Sequence, residues 1–399
     1  MSRPIRTLLF STLYPSVVRP THGIFVETRL RELLRTGQVD SRVVAPVPWF
    51  PSTDPRFGSR ALLAATPRRE QHNGLDVLHP RYLLAPKVGM TTAPFLLALG
   101  ALPAFRTLRA EGFDFDVIDA HYYYPDGVAA AMLAACFDKP LAITARGTDL
   151  NLIPQHWFPR QLIRWAARRA QASIGVCAAL VDVLRRWSID EHKLHVMRNG
   201  VDLHRFRPLP PAAVRAELGA DGSPLLLSVG HMNERKGHHI AVDTLAALLP
   251  QYPGARLALV GDGEERGRLQ AQVQRLGLAD KVIFAGAVPN ADLLRWYSAA
   301  DVLLLGSSRE GWPNVLLEAM ACGTPVVATA IWGTPEVVRL PVAGRLVQER
   351  SGQALAQGVR GLLDAGTDRA AVRAYAEQFS WDSTSHDQLA LFDALKARG

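Results

Sequence analysis

The sequence predicts an α/β protein built as two parallel-sheet domains. At 399 residues the chain is long for one hydrophobic core and suits two. Short apolar runs, the pattern of strands buried on both faces, alternate with helix-period segments through both halves. Between the halves, the Pro-rich run 208–211 and the Gly-containing run to 222 read as a linker. The expected division is 1–205, 206–378 and a terminal helix over 379–399.

In the first half, 5–10 reads as a buried strand and 11–23 as a loop with Pro15, Pro20 and Gly23. A helix over 25–34 follows, with Phe25, Leu30, Leu33 and Leu34 apolar. Gly23 therefore sits between strand and helix, where glycine serves either a plain turn or the close approach of backbone to a phosphate. Residues 41–47 are the second strand, and 48–73, rich in Pro and Arg and without period, read as a long loop. A short strand is expected over 75–82. A helix over 93–109 has a wide apolar face, which is either core or turned to a membrane or an acceptor. The strand 115–120 ends in His121-Tyr122-Tyr123-Tyr124-Pro125-Asp126-Gly127. Ligands collect at the carboxyl edge of parallel sheets, so His121 is a candidate functional residue, with a core histidine as the alternative. Asp114-Phe115-Asp116 precedes this strand and reads as its solvated entry rather than as a metal motif. The strand 141–145 ends in Arg146-Gly147-Thr148-Asp149. A helix over 157–172 sets Arg160, Arg164, Arg168 and Arg169 on roughly one face, which is either solvated or rests on anionic lipid. The half closes with a strand over 194–198 and the turn Asn199-Gly200-Val201-Asp202.

The second half opens with a strand over 224–229 and the loop from Gly230 to Gly237, which carries His231, Arg235 and Lys236 ahead of a helix from 238. A glycine for close approach and two cations before a helix N-terminus suit the neutralisation of a diphosphate. A strand over 256–260 leads into Gly261-Asp262-Gly263 and a helix to 276; Gly267 comes one position late for G-x-G-x-x-G, which weakens a dinucleotide reading. After a strand over 282–285 comes the turn Gly286-Ala287-Val288-Pro289, then a helix over 290–299 and a strand over 301–305. Next is a loop with Glu310, Gly311, Trp312, Pro313 and Asn314, and a helix from Val315 that contains Glu318 and stops at Cys322-Gly323. Two carboxylates eight positions apart thus flank a helix N-terminus, whose first N–H groups form an anion site. A strand over 325–329, the turn Trp332-Gly333-Thr334-Pro335-Glu336 and helices over 352–364, 369–379 and 381–397 complete the chain.

The string from Glu310 to Ala328, two Glu with seven residues between them followed by Ala-Met-Ala-Cys-Gly-Thr-Pro-Val-Val-Ala, resembles the signature of the retaining, nucleotide-sugar-dependent glycosyltransferases of family 4. The turn from Asn199 to Pro208 resembles that family's N-G-V-D-x-x-x-F-x-P, and 332–336 its G-G-x-P-E with Trp332 for the first Gly. Lys236 matches the phosphate-binding Lys of G-R-x-x-x-x-K-G, but His231 stands where Arg is usual, so His231 or Arg235 supplies the second contact. Arg146 stands where the family has a His; Arg is no proton shuttle at neutral pH but can clamp an anion in bidentate fashion. His22-Gly23 stands where two glycines are common.

The resemblance implies two Rossmann-like domains facing across a cleft, the GT-B architecture, with the 379–399 helix packed back on the first domain. It places the donor on the second domain, at Gly230, His231, Arg235, Lys236, Val288, Glu310, Gly311, Asn314, Val315 and Glu318. Lys236 would neutralise the leaving diphosphate, Glu318 accept the ribose hydroxyls and Glu310 meet the donor sugar, while Gly23, His121, Arg146 and Asp149 face the acceptor. Glu310, Lys236, His121 and Arg146 are the catalytic candidates. The implied activity is retaining hexosyl transfer from a nucleotide diphosphate sugar, a UDP-sugar favoured over a GDP-sugar, with no cofactor and no obligatory metal. The expected acceptor is a saccharide or lipid-linked saccharide in cell-surface polysaccharide assembly. A sugar-nucleotide epimerase and a non-catalytic partner subunit of the same fold are the alternatives.

Net charge of +8 and a pI near 9.7 call for an anionic partner. The basic residues are dispersed and no nucleic-acid-binding signature is present, so nucleotide diphosphates and an anionic membrane leaflet are expected rather than nucleic acid. Cys136, Cys177 and Cys322 are far apart and suggest neither a disulfide framework nor a zinc site, in keeping with a reducing cytoplasm. No signal peptide is apparent, and the longest apolar stretch, 93–105, is too short to span a bilayer. A cytoplasmic protein in peripheral contact with the inner face of the plasma membrane is expected.

Overall fold

The computed structural model describes residues 3–84 and 89–397. The chain forms two compact units, Met1–Arg198 with Asp382–Gly399, and Asn199–Trp381.

The first unit is built on an eight-stranded sheet in the order Leu194–Val196, Ala172–Gly175, Leu141–Ala145, Val117–His121, Ile5–Phe10, Val39–Val44, Leu75–Leu78 and Arg69–His72. All pairs are parallel except the last, where Arg69 faces Leu78 and His72 faces Leu75. The chain starts in the middle, at Ile5–Phe10, builds outward on one side and then returns to build the other. That reversal leaves a crevice beyond the carboxyl ends of Ile5–Phe10 and Val117–His121, where ligands of open α/β sheets bind. The helix Gly89–Ala110 buries Leu97, Ala101, Phe105 and Leu108. Phe105 stands edge-on to Phe10 and Phe115, with ring centroids 5.8 and 5.7 Å away. The terminal helix Trp381–Lys396 places Phe392 and Leu395 in the core with Ile5, Leu33, Val117 and Ile174.

The second unit holds six parallel strands in the order Val282–Gly286, Arg256–Val260, Leu225–Val229, Val302–Leu305, Val326–Thr329 and Gly344–Val347. Its reversal lies between Leu225–Val229 and Val302–Leu305, so the loops 230–237 and 306–313 leave the sheet side by side.

The structure corrects several expectations. Residues 48–73 are not one loop: they hold the helix Ser59–Ala65 and the edge strand Arg69–His72, which has no buried residue and so no apolar run. The 208–222 linker contains the helix Pro211–Leu218, where only Val214 is buried and the apolar period is faint. The strand expected over 75–82 splits into Leu75–Leu78 and Arg81–Tyr82. The helix Val128–Phe137, apolar all round, carries no amphipathic signal. It joins Ala172–Gly175, Ala178–Arg186 and Gly344–Val347 as elements the sequence did not announce. Contrary to the expectation of no spanning segment, Gly89–Ala110 is long and apolar enough to cross a membrane by length and composition, although one face is packed into the core. The first division falls after Arg198 rather than 205, because the turn that follows bonds into the second unit. Val201 N–H donates to Phe379 O, and the Arg373 guanidinium donates to the carbonyls of Leu203 and Phe206.

Candidate active site

In the second unit two loops are fastened together at the carboxyl edge of the sheet. Gly237 (φ +73°) is required here, because a Cβ would lie 2.0 Å from the carbonyl oxygen of Gly306. Ser308 N–H donates to Arg235 O at 2.8 Å, and the Arg235 guanidinium donates to Arg309 O at 3.0 Å. Arg350 straps the pair from outside, donating to Gly306 O, Glu234 O and the Glu234 carboxylate at 2.7 to 2.9 Å. Asn233 accepts from Lys236 N–H and sets the short turn that carries the lysine.

This framework aims Lys236 at Glu310. Lys236 Nζ is 2.7 Å from Glu310 Oε1, Ser307 Oγ donates to the same oxygen at 2.8 Å, and an Arg235 Nη lies 3.6 Å from it. Burial pushes the Glu310 carboxyl up, but Lys236, Arg235 and the two hydrogen bonds outweigh it, so the group sits below the ordinary carboxylate range. Glu310 is therefore ionised and Lys236 is its counter-ion. Gly311 is buried beside it. The helix Asn314–Ala321 starts four residues past Glu310, with Asn314 and Val315 half-buried in its first turn, where N–H groups have no intrahelical acceptor. Asn199 donates to the Asn314 amide oxygen at 3.2 Å. One turn further, Glu318 accepts from Tyr297 Oη at 2.7 Å; burial raises this carboxyl despite that bond.

Next to the turn is a cavity of about 390 Å³ lined by Gly230, His231, Gly261, Asp262, Gly263, Ala287, Val288 and Leu293. His231 is well exposed and pairs with Glu264 at 2.9 Å. Of the two residues proposed to stand in for the family's usual arginine, Arg235 is the one at Glu310, and His231 lines the cavity.

In the first unit the residues singled out at the reversal form a buried network. His121 is 1% exposed. The Arg146 guanidinium donates to its Nδ1 and its Nε2 lies 3.2 Å from Asp119 Oδ2. A guanidinium only donates, so Nδ1 carries no proton and Nε2–H donates to Asp119. Burial, with Arg146 adding to it against Asp119, lowers the imidazole to about 4. Burial and repulsion from Arg29 lower Arg146 to about 9, and its guanidinium lies 5.4 Å from the centre of the Phe25 ring. Asp149 is buried and accepts from the backbone N–H groups of Tyr123, Arg146 and Gly147; burial raises it all the same. Gly23 (φ +69°) has its empty side occupied by the chain itself, since a Cβ there would lie 2.3 Å from the Leu13 carbonyl carbon.

Several partners escaped the sequence reading. Ser307, Tyr297 and Arg350 serve Glu310, Glu318 and the loop framework, but a lone Ser, Tyr or Arg carries no motif. Arg29 is fully buried and donates to Gln388 and Met197 O, while Gln388 also reaches Asp119. Asp126, inside the 121–127 stretch, accepts from Thr12 N–H and Thr12 Oγ1, and burial pushes it up to about 7. Among the described residues, no group of three or more His, Cys, Asp or Glu could hold a metal ion.

Comparison with known proteins gives these features a family. The profile of Glycosyl transferases group 1 matches residues 212–379, and that of Glycosyltransferase Family 4 matches 63–205. The chain is 37% identical over 394 residues to a D-inositol 3-phosphate glycosyltransferase of Acidothermus cellulolyticus, covering 86% of each chain. It is 26% identical over 369 residues to TuaC of Bacillus subtilis, a glycosyltransferase named for teichuronic acid biosynthesis, covering 89% of this chain and 88% of that one. Among solved structures, the sucrose-phosphate synthase of Thermosynechococcus elongatus superposes with a TM-score of 0.77 at 23% identity over the whole of both chains. Anabaena HepE in complex with UDP superposes with a TM-score of 0.72 at 21% identity, over 98% of this chain and 100% of that one. The two parallel-sheet α/β units are those of the GT-B class. The chain belongs to the group 1 glycosyltransferases of family 4.

Proposed function

We propose that the protein is a retaining, metal-independent hexosyltransferase that uses a nucleotide diphosphate sugar, with UDP favoured as the nucleotide and GDP the next choice. The acceptor we propose is a saccharide or lipid-linked saccharide of cell-surface polysaccharide assembly. The observation that carries the reading is the fastened loop pair, which sets Lys236, Arg235 and a helix N-terminus next to a cavity of nucleoside size. HepE, of the same fold, has been solved with UDP and with UDP-glucose, and TuaC is named for a cell-wall polymer.

In this reading the nucleoside enters the cavity at Gly230 and Val288, and Glu318 accepts hydrogen bonds from the ribose. The diphosphate competes with Glu310 for Lys236 and draws on Arg235 and the N–H groups near Asn314 and Val315. Glu310, released from its lysine, accepts from hydroxyls of the donor sugar. The bond between the anomeric carbon and the phosphate oxygen then breaks, with its electron pair leaving on the diphosphate. The acceptor oxygen bonds to the same face of that carbon, and its proton passes to the departing phosphate oxygen. Products are the glycoside and the nucleoside diphosphate. On the acceptor side His121, with both nitrogens engaged, is a positioning residue that holds Arg146, and Arg146 with Asp149 orients the acceptor.

The test is a transfer assay with UDP-, GDP- and ADP-sugars against oligosaccharide, polyprenyl-linked and inositol phosphate acceptors, with the product anomer read by proton NMR. Transfer from a UDP-sugar with retention, unchanged by EDTA within about twofold, is expected. An inverted product, loss of activity in EDTA, or nucleotide release with an altered free sugar and no acceptor product would overturn it.

A further inference from the structure

The turn after the strand Val326–Thr329 holds a tryptophan where its geometry calls for glycine. Thr334 N–H donates to Ile331 O at 2.9 Å and closes a four-residue turn over Ile331, Trp332, Gly333 and Thr334. Trp332 has φ +45°, whereas Gly333 has φ −74° and ψ −8°. A positive φ at the first central place alone is the type II′ pattern, which favours glycine there. For a side chain as bulky as tryptophan this backbone is strained, while Gly333, one place later, has a conformation open to any residue.

Packing does not account for the strained residue. Trp296, Trp312 and Trp381 are buried, and the Trp312 ring lies 6.2 Å from that of Phe379. Trp332 is only half-buried. Among the described residues its indole meets no other ring and no cation, and its N–H has no acceptor. Strain kept at an unpartnered aromatic marks a residue held for a ligand.

Its place on the sheet edge says which ligand. In strand order, the loops after Val282–Gly286, Arg256–Val260 and Leu225–Val229 line the cavity at Val288, Gly261 and Gly230. The loops after Leu225–Val229 and Val302–Leu305 bring Lys236 to Glu310. The next strand, about 4.8 Å further on, is Val326–Thr329, whose turn carries Trp332. Thr329 Oγ1 donates to Ser307 O at 2.7 Å, and Ser307 Oγ donates to Glu310, so this strand end and the Glu310 loop share one anchor. The nucleoside, diphosphate and sugar of a donor laid along this edge in that order end at Trp332.

We infer that the Trp332 indole is a platform for the hexosyl ring of the donor. It stacks on the C–H face of the pyranose whose hydroxyls Glu310 accepts. The negative face of an aromatic ring attracts the slightly positive C–H groups of a sugar, which an aliphatic side chain does not reproduce. Trp332 thus reads the sugar and leaves nucleotide affinity to Lys236, Arg235 and the cavity. The inference rests on the donor reading above and names the residue that distinguishes its sugar.

Calorimetric titration of the full chain with UDP against UDP-glucose, and with GDP against GDP-mannose, tests it in wild type, Trp332→Gly, Trp332→Phe and Trp332→Leu. The nucleotide alone should bind every variant within about twofold of the wild type. The nucleotide sugar should bind Trp332→Gly and Trp332→Leu on the order of tenfold more weakly, and Trp332→Phe within about threefold. Trp332→Gly, which adopts the turn freely, should melt at or above the wild type. Trp332→Leu keeps the bulk and the backbone demand and lacks only the aromatic face, so it decides if Trp332→Gly unfolds. Unchanged nucleotide-sugar affinity in a folded Gly or Leu variant, or equal losses for nucleotide and nucleotide sugar, overturns the inference and leaves the donor reading standing. A folded wild type that binds neither nucleotide overturns both.

Discussion

The donor loops of the second unit and the His121 network of the first hold similar residues in opposite ways. At Lys236 and Glu310 the charges stand on loops at a sheet edge, the lysine partly exposed and the carboxylate buried, and neutralise each other at 2.7 Å. At Arg29, Asp119, His121 and Arg146 they are packed between a sheet edge and the terminal helix, with Gln388 bridging Arg29 and Asp119. A pair with one partly exposed member can hand that member to a ligand, because Arg235 and Ser307 still hold the carboxylate. A buried network loses several kcal/mol when a member is removed, because its neighbours are left unpaired in a low dielectric. The first arrangement is suited to binding and release, the second to holding a surface in shape.

That contrast can be broken from either side. Lys236→Ala should lower the transfer rate by about 10²- to 10³-fold with a smaller loss of stability, because Arg235 and Ser307 still hold the Glu310 carboxylate, read by steady-state kinetics and calorimetry. Arg29→Met should do the reverse. It should cost the first unit about 3–5 kcal/mol in denaturant unfolding, since Gln388 and Met197 O lose their donor, while leaving UDP affinity unchanged.

Titration sharpens the comparison further. His121 is held near 4, so between about pH 6.5 and 4 the unfolded chain binds a proton that the native state does not. This contribution to stability is present above 6.5 and lost as pH falls. Wild type should therefore lose up to about 3 kcal/mol relative to His121→Asn over that range. Asp126, raised to about 7, has the opposite sign: its ionisation disfavours the folded state, so Asp126→Asn should gain on wild type as pH rises from about 4 to 7. Paired thermal melts across pH read both. The smallest effect expected is for Arg350→Ala, which loosens the loop strap. UDP should bind about fivefold more weakly, near the 1 kcal/mol of an ordinary hydrogen bond.

The two regions were also unequally legible. Around Glu310 and Lys236, function is written in contiguous motifs: a strand, a loop of fixed length, a glycine and a helix start. The loop positions follow from that grammar, whereas the strand order and the edge strand Gly344–Val347 do not. The His121 network is assembled from residues far apart in the chain. Nothing at Arg29 or Gln388 hints that 359 positions of sequence close into a 2.8 Å contact. Helices failed to show where their faces were uniform, as in the all-apolar Val128–Phe137, or barely packed, as in Pro211–Leu218 with Val214 alone buried. Arg146 was read as an anion clamp from its side chain alone; its partner His121, and the tautomer that pairing dictates, needed coordinates.

The most direct measurement is calorimetric titration of the purified chain with UDP, GDP and ADP, alongside Lys236→Ala. The account predicts that UDP binds most tightly and that the variant loses at least about tenfold. Equal affinity in the variant, or a folded wild type that binds none of the three, would contradict the assignment of the diphosphate site to Lys236 and Arg235.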